Sequence, residues 1–316
     1  MPKKPITTMI KISDLTVAQR IGLELLWGFA YLVAILPYWV KFYVLEPILF
    51  FLLCDVLHYR RKVVMENLRN SFPERDEKAL RQIARGFYRN LAEVFVGTFN
   101  LVHKPRRKMA RYVQTEQMAV VNDAMAGRDV IVLLAHHGLW ELGIFWNHQD
   151  PQHVTLGIYH QLRSKVLDLF YQRLRTSPDS VPVMKKESMR FYLNHRTEGI
   201  DGRRMALGLI ADQNPPLRPD AHWFRFLNQD TVFFDGGEQL ALRYGLPVWF
   251  AEFKRVGRGR YLIRFEQLYD GREQVAKHEI TERYVRRLEQ MIQEHPELWM
   301  WSHRRWKHKR SADAEL

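Results

Sequence analysis

From Asp129 onward the chain alternates short apolar runs with amphipathic stretches, and that alternation leaves few folds open. DVIVLLAHH, HVTLGIYH and MALGLIADQ are near-continuous apolar runs bounded by glycine or polar residues, the pattern of strands buried on both faces. WELGIFWN, SKVLDLFYQRLRTS and the stretch from Arg190 to Thr197 lie between them and read as helices. DGGEQLALRYG adds a helix with Gly245 as its expected C-terminal cap. LPVWFAEF and RYLIRFEQL follow as strands, and ITERYVRRLEQMIQEHP as a long amphipathic helix stopped by Pro296. Buried strands joined by helices predict an α/β fold with a mostly parallel central sheet flanked by helices. Before it, the region after His58 reads as helices broken at Ser71-Phe72-Pro73, with Ile83, Phe87, Leu91, Val94 and Phe95 facing inward.

The N-terminal region has a different character. Leu25 to Val40 carries no charge, and after Lys41 and Glu46 the apolar run resumes as PILFFLLC, punctuated by Pro37 and Pro47. The apolar part is too long for a cleaved signal peptide, and Lys41 interrupts the roughly 20 residues that a straight span requires. Residues 1–58 are therefore expected to form a membrane anchor, embedded in or lying on the bilayer as a broken hairpin, ahead of a domain over residues 59–316. The competing reading is a hydrophobic docking helix of a soluble fold. Lys3, Lys4 and Lys11 before the segment and Arg60, Arg61 and Lys62 after it leave its orientation open, while the basic body suits the cytoplasmic side.

Charge narrows the partners. Forty-eight lysines and arginines against 35 acids give +13, which favours nucleic acid, an anionic bilayer or an acidic carrier protein. The arginines are spread over many helices and no nucleic-acid-binding module pattern occurs, so no nucleic-acid partner is expected. The single cysteine, Cys54, excludes an internal disulfide and reads as a buried packing residue.

In parallel sheets, ligands bind beyond the carboxyl ends of the strands. Three polar groups fall there: the His136 region, Tyr159-His160 and Asp212-Gln213. In LLAHHGLWELG, His136 and Glu141 point apart on a regular helix. They can meet if His136 stays on the loop and Glu141 enters the first helical turn after Gly138. A carboxylate on one ring nitrogen would fix the tautomer and leave the other nitrogen to take a proton from a hydroxyl. The plainer reading, two histidines filling a corner and an acid starting a helix, stands beside it. There is no HExxH for a zinc site and no GxSxG elbow for a serine nucleophile, so no metal is expected and transfer would be direct.

AHHGLWELG resembles the H-x4-[D/E] motif of the lysophospholipid acyltransferase superfamily. Together with YRRKVVMENLRNSFPE, GLIADQNPP, FLNQDTVFFDGGEQLAL, LPVWF and PELWMWSHRRWK it is similar to the lipid A biosynthesis (late, lauroyl/myristoyl-type) acyltransferases, from about Tyr59 to His308. The resemblance implies transfer of an acyl chain from a thioester on acyl carrier protein, or on coenzyme A, to a hydroxyl of a membrane glycolipid such as a lipid A precursor. It also implies a place at the cytoplasmic face of the bacterial inner membrane and no cofactor. By position it makes His136 the general base, Glu141 its orienting carboxylate, and Arg175, Asp212 and Gln213 candidates for binding substrate or the developing oxyanion. A lysophospholipid or aminolipid acceptor, and a non-catalytic lipid-binding scaffold, are the alternatives. Many relatives carry Tyr-Arg where this chain has Tyr159-His160, which speaks against a fully phosphorylated acceptor. The basic-aromatic cluster from His303 to Arg310 suits a headgroup or the carrier protein, and reads equally as solvated charge with Trp306 packed down.

Overall fold

A computed structural model describes residues 10–103, 109–149 and 152–310. Five strands run parallel: β2 (Val130–Leu134), β3 (His153–Tyr159), β4 (Ser180–Met184), β5 (Arg204–Ile210) and β8 (Val248–Gly257). β9 (Arg260–Tyr269) returns antiparallel to β8, and β1 (Val113–Thr115) pairs parallel with β9. The order across this mostly parallel sheet is β1-β9-β8-β2-β5-β3-β4. β6 (Trp223–Phe226) and β7 (Gln229–Val232) form a separate hairpin.

Side chains alternate across β2 and β5, so each strand feeds two cores. Ile131, Leu133 and Leu207 join Tyr192 of α6 (Lys185–His195), Leu240 of α7 (Gly236–Tyr244) and Tyr284 and Leu288 of α8 (Glu279–Glu294). Val132, Leu134 and Ala206 join Leu142 and Trp146 of the 3-10 helix Trp140–Gln149 and Phe170 of α5 (Lys165–Arg175). The expected helix after the histidines is thus a 3-10 helix. The two segments around Ser71-Phe72-Pro73 are α2 (Arg61–Ser71) and α3 (Glu77–Asn100), and α4 (Met118–Met125) precedes β2. Ile83, Phe87, Leu91 and Val94 of α3 are buried, whereas Phe95 is 40% exposed. Cys54 is half-buried rather than fully buried.

Among the described residues, one helix, α1 (Val17–Ile35), is long and apolar enough to cross a membrane. It lies against the body instead of standing clear of it. Leu23, Ala30, Val33 and Ala34 are buried, Trp27 meets Phe170 edge-on at 5.6 Å, and Glu24 pairs with Arg173 at 3.2 Å. After Pro37, helical turns continue from Tyr38 to Val56, including π-turns over Lys41–Leu45 and Leu52–Val56. The charges that interrupt this apolar run turn inward: Lys41 Nζ donates to Asn100 Oδ1 at 2.6 Å, and Glu46 lies 3.3 Å from Arg258. Outward stand Val17, Ile21, Leu25, Leu32, Trp39 and Ile48, with Phe51 and Leu57 beyond them. Lys3 and Lys4 lie outside the described residues.

Candidate active site

Register puts two strand ends side by side. Leu133 and Leu134 of β2 pair with Leu209 and Ile210 of β5, so the residues just past each strand, His136 and Asp212, are neighbours. His136 Nδ1 lies 2.7 Å from Asp212 Oδ1, while Asp212 Oδ2 accepts from the His136 backbone N–H at 3.0 Å and from Trp299 Nε1 at 2.9 Å. Burial works to raise the Asp212 pKa, but the imidazole beside it and these donors hold the carboxyl below its usual range. A charged Asp212 fixes the proton on Nδ1 and leaves Nε2 as the basic nitrogen. The Gln213 amide nitrogen stands 3.2 Å from that Nε2. The His136 side chain keeps 17% of its surface exposed, against the edge of Trp140 at 4.9 Å.

The adjacent histidine has another part. His137 is 1% exposed, its Nε2 donates to the His295 carbonyl at 3.3 Å, and its Nδ1 has no hydrogen-bond partner. Burial pushes it down to about 4, and pushes His303 down to about 4 as well. Both stay neutral in the folded chain, whereas an unfolded histidine gains a proton near 6.5. The unfolded state therefore binds more protons between those values, and stability should fall as pH drops from about 6.5 to about 4. For His137 alone the unfolding constant should rise about tenfold per pH unit in that window. Thermal melts across it, with His137→Phe expected to flatten the slope, check this. Asp212 acts lower: its contribution is full above about 3.9 and is lost as pH falls through its depressed folded value.

Gly138 makes the turn that follows. Its φ is +59°, and a Cβ there would stand 2.5 Å from the Tyr261 ring, so only glycine fits. The chain then enters the 3-10 helix, and Glu141 points toward α5. Its carboxylate is gripped by Arg175, Nε to Oε2 at 2.9 Å and Nη2 to Oε1 at 2.5 Å. The carboxylate on the His136 ring is thus Asp212, not Glu141 as expected. A residue on the next strand reaches Nδ1, whereas the 3-10 turn carries Glu141 to the sheet face that α5 covers. Glu141 is 4% exposed and the Arg175 side chain 18%, the latter standing over the Tyr171 ring at 4.9 Å. Burial and the nearby Glu141 charge push the Tyr171 hydroxyl up to about 12, so it stays protonated beside the pair.

These side chains line a cavity of about 840 Å3. His136, Glu141, Arg175 and Gln213 all border it, and so do Tyr159 and His160. Asp212 stands behind His136 and reaches the cavity only through the ring. The C-terminal cluster does not hang free. Arg305 is 2% exposed and donates to Asn214 Oδ1 and the Val232 carbonyl, Trp306 Nε1 donates to Thr231 Oγ1, and Asn214 Nδ2 donates to the Arg304 carbonyl. This strap braces the loop that carries Asp212 and Gln213. Trp299, which completes the aspartate's hydrogen bonds, was present in the sequence only as one tryptophan of PELWMWSHRRWK. Among the described residues, no group of three or more His, Cys, Asp or Glu could hold a metal ion.

A model of the bacterial lipid A biosynthesis acyltransferases matches residues 11–308. No curated protein sequence matches the chain. Among solved structures, it is similar to the crystal structure of the 1-acyl-sn-glycerophosphate (LPA) acyltransferase PlsC from Thermotoga maritima, at 14% identity and a TM-score of 0.36 over 82% of this chain and 97% of that one, too distant a likeness to carry anything across. The family match spans nearly the whole chain, and the chain belongs to the bacterial lipid A biosynthesis acyltransferases, enzymes that transfer acyl groups to lipids.

Proposed function

We propose that the protein transfers a fatty acyl chain from acyl carrier protein to a hydroxyl of a membrane glycolipid, directly and by general-base catalysis at His136. The observation that carries this reading is the carboxylate-held imidazole facing an 840 Å3 cavity. His136 Nε2 takes the proton of the acceptor hydroxyl as its oxygen forms a bond to the thioester carbonyl carbon. The carbonyl becomes an oxyanion and then reforms as the C–S bond breaks, and the departing thiolate takes the proton from the imidazolium. The products are the ester and the free thiol. Asp212 stabilises the transient imidazolium. Arg175, with two of its five N–H groups spent on Glu141, has donors left for the oxyanion or a substrate phosphate. Gln213 yields its place at Nε2 to the hydroxyl. The net charge of +13 suits an acidic carrier protein as donor.

In this reading residues 1–58 hold the protein at the cytoplasmic face of the inner membrane. The apolar outward face of α1 and residues 38–57 lies in the bilayer surface, because its inward face, with Leu23, Ala30, Val33 and Lys41, is already committed to the body. Membranes washed in high salt should retain the protein, since salt screens charge and not apolar burial. Leu25→Glu combined with Leu32→Glu should move it to the soluble fraction, checked by flotation with lipid vesicles.

Mass spectrometry of membrane lipids with and without the protein tests the function. One ester-linked chain missing from a glucosamine lipid is the expected result. An unchanged lipid profile would contradict it.

A further inference from the structure

The lining of the cavity is drawn from both cores, and the part on each face of the sheet is taken as a lobe. Val132, Leu134, Ala206, Ala251 and Phe265 line the lobe beneath the 3-10 helix. Leu133, Leu207, Leu209, Phe233 and Leu240 line the lobe on the opposite face, which α6 and α7 border. Alternation along β2 and β5 forces this division. His136, just past the end of β2, lies at the edge where the faces meet.

Volume favours two occupants. An apolar cavity of about 150 Å3 takes a six-carbon ring, and on that scale 840 Å3 corresponds to roughly thirty carbons, about two fatty chains. The lobes also differ in their rims. On the α6 and α7 side, Lys185 Nζ stands 3.6 Å over the Phe234 ring and Arg243 borders the same lobe. His222 and His278 stack there at 4.4 Å with their planes 9° apart. On the other side Glu141 and Arg175 neutralise each other and Asp168 adds a carboxylate, whereas the first rim sets Lys185, Arg218 and Arg243 against the Asp235 carboxylate. A lipid with an anionic headgroup fits the first rim better.

We propose that the lobe bordered by α6 and α7 receives the acceptor lipid, with the acyl chain that bears the reacting hydroxyl on its apolar floor and an anionic headgroup facing Lys185 and Arg243. The donor chain occupies the lobe beneath the 3-10 helix, so that hydroxyl and thioester meet at His136 from opposite faces of the sheet. This assignment rests on the acyl-transfer reading above.

Two photoreactive probes, each with a diazirine at its chain end, test it on the full chain in detergent micelles. One is a phosphorylated glucosamine bearing a hydroxytetradecanoyl chain. The other is a tetradecyl thioether of pantetheine, which cannot transfer its chain. Ser188 of α6 borders the acceptor lobe, so the first should label the peptides around Ser188 and Leu240, and the second those around Trp146 and Phe265. Ser188→Trp should raise the acceptor KM about tenfold or more without changing donor chain preference, a loss of about 1.4 kcal/mol in binding. Gly157 faces the donor lobe, and a Cβ there meets nothing within 4 Å, so Gly157→Leu should shorten the preferred donor chain and leave the acceptor KM unchanged. Labelling of one lobe by both probes, or a donor chain preference shifted by Ser188→Trp, would overturn the assignment and leave acyl transfer standing. Failure of both probes to label the cavity would overturn acyl transfer as well.

Discussion

Asp212→Asn should lower kcat by about 10⁴ while leaving the KM for either substrate nearly unchanged, the size of loss seen when the aspartate behind a catalytic imidazole is made an amide. The hydrogen bonds force this outcome. Position Oδ2 receives two donors, the His136 backbone N–H and Trp299 Nε1, so it must be filled by an acceptor. An asparagine therefore turns its oxygen there and presents its NH2 to His136 Nδ1. That nitrogen must then accept, which moves the ring proton to Nε2, the nitrogen required as base. The variant folds around the same contacts but holds the wrong tautomer. Nitrogen-15 NMR of the imidazole checks the cause separately from the rate: the proton should sit on Nδ1 in the native protein and on Nε2 in Asp212→Asn.

Glu141→Ala should fail by a different route. Removing one member of a buried ion pair leaves the other charge uncompensated and costs about 3–5 kcal/mol. With Glu141 4% exposed and Arg175 bound to both its oxygens, the melting temperature should fall by on the order of 10 °C. Activity should fall too, because Arg175 loses the partner that aims it. Replacing both residues by methionine removes the buried charges together and should restore most of the stability. Turnover should stay low in that double variant, since no guanidinium remains for the oxyanion. Calorimetry and kcat on the single and double variants separate a structural pair from a catalytic one. If the double variant regained native turnover, Arg175 would have no role in the chemistry.

The fold was legible where local rules act alone. The buried runs became β2, β3, β5 and β8, and Gly245 caps α7 with φ at +63°. β4 was hidden by Pro182, which a strand tolerates here because β4 is the sheet edge. The β6–β7 hairpin turns on Leu227 and Asn228 with φ of +48° and +61°; a leucine in that conformation gives no turn signal in sequence. His136, Asp212 and Gln213 were legible as polar residues at strand ends, and the structure brings the three together beyond β2 and β5. The pairing of His136 with Asp212 lay beyond spacing arguments, because it depends on register between strands separated by about seventy residues of chain. Within the basic C-terminal cluster, Arg305 was hidden in the same way, while Arg304, Lys307 and Lys309 are exposed. Composition counts Arg305 as surface charge, and only the packed structure reveals it beneath the Asp212 loop.

The central claim is that one imidazole removes the acceptor's proton. Single-turnover transfer from acyl carrier protein to the hydroxylated glycolipid, comparing purified His136→Ala with the native protein, measures it most directly. Losing the imidazole leaves Oδ1 of the buried Asp212 without its partner, so the variant should melt below the native protein yet stay folded at the assay temperature, which circular dichroism checks. Product should form about 10²–10⁴ times more slowly. Transfer at the native rate by a folded His136→Ala protein would contradict the account.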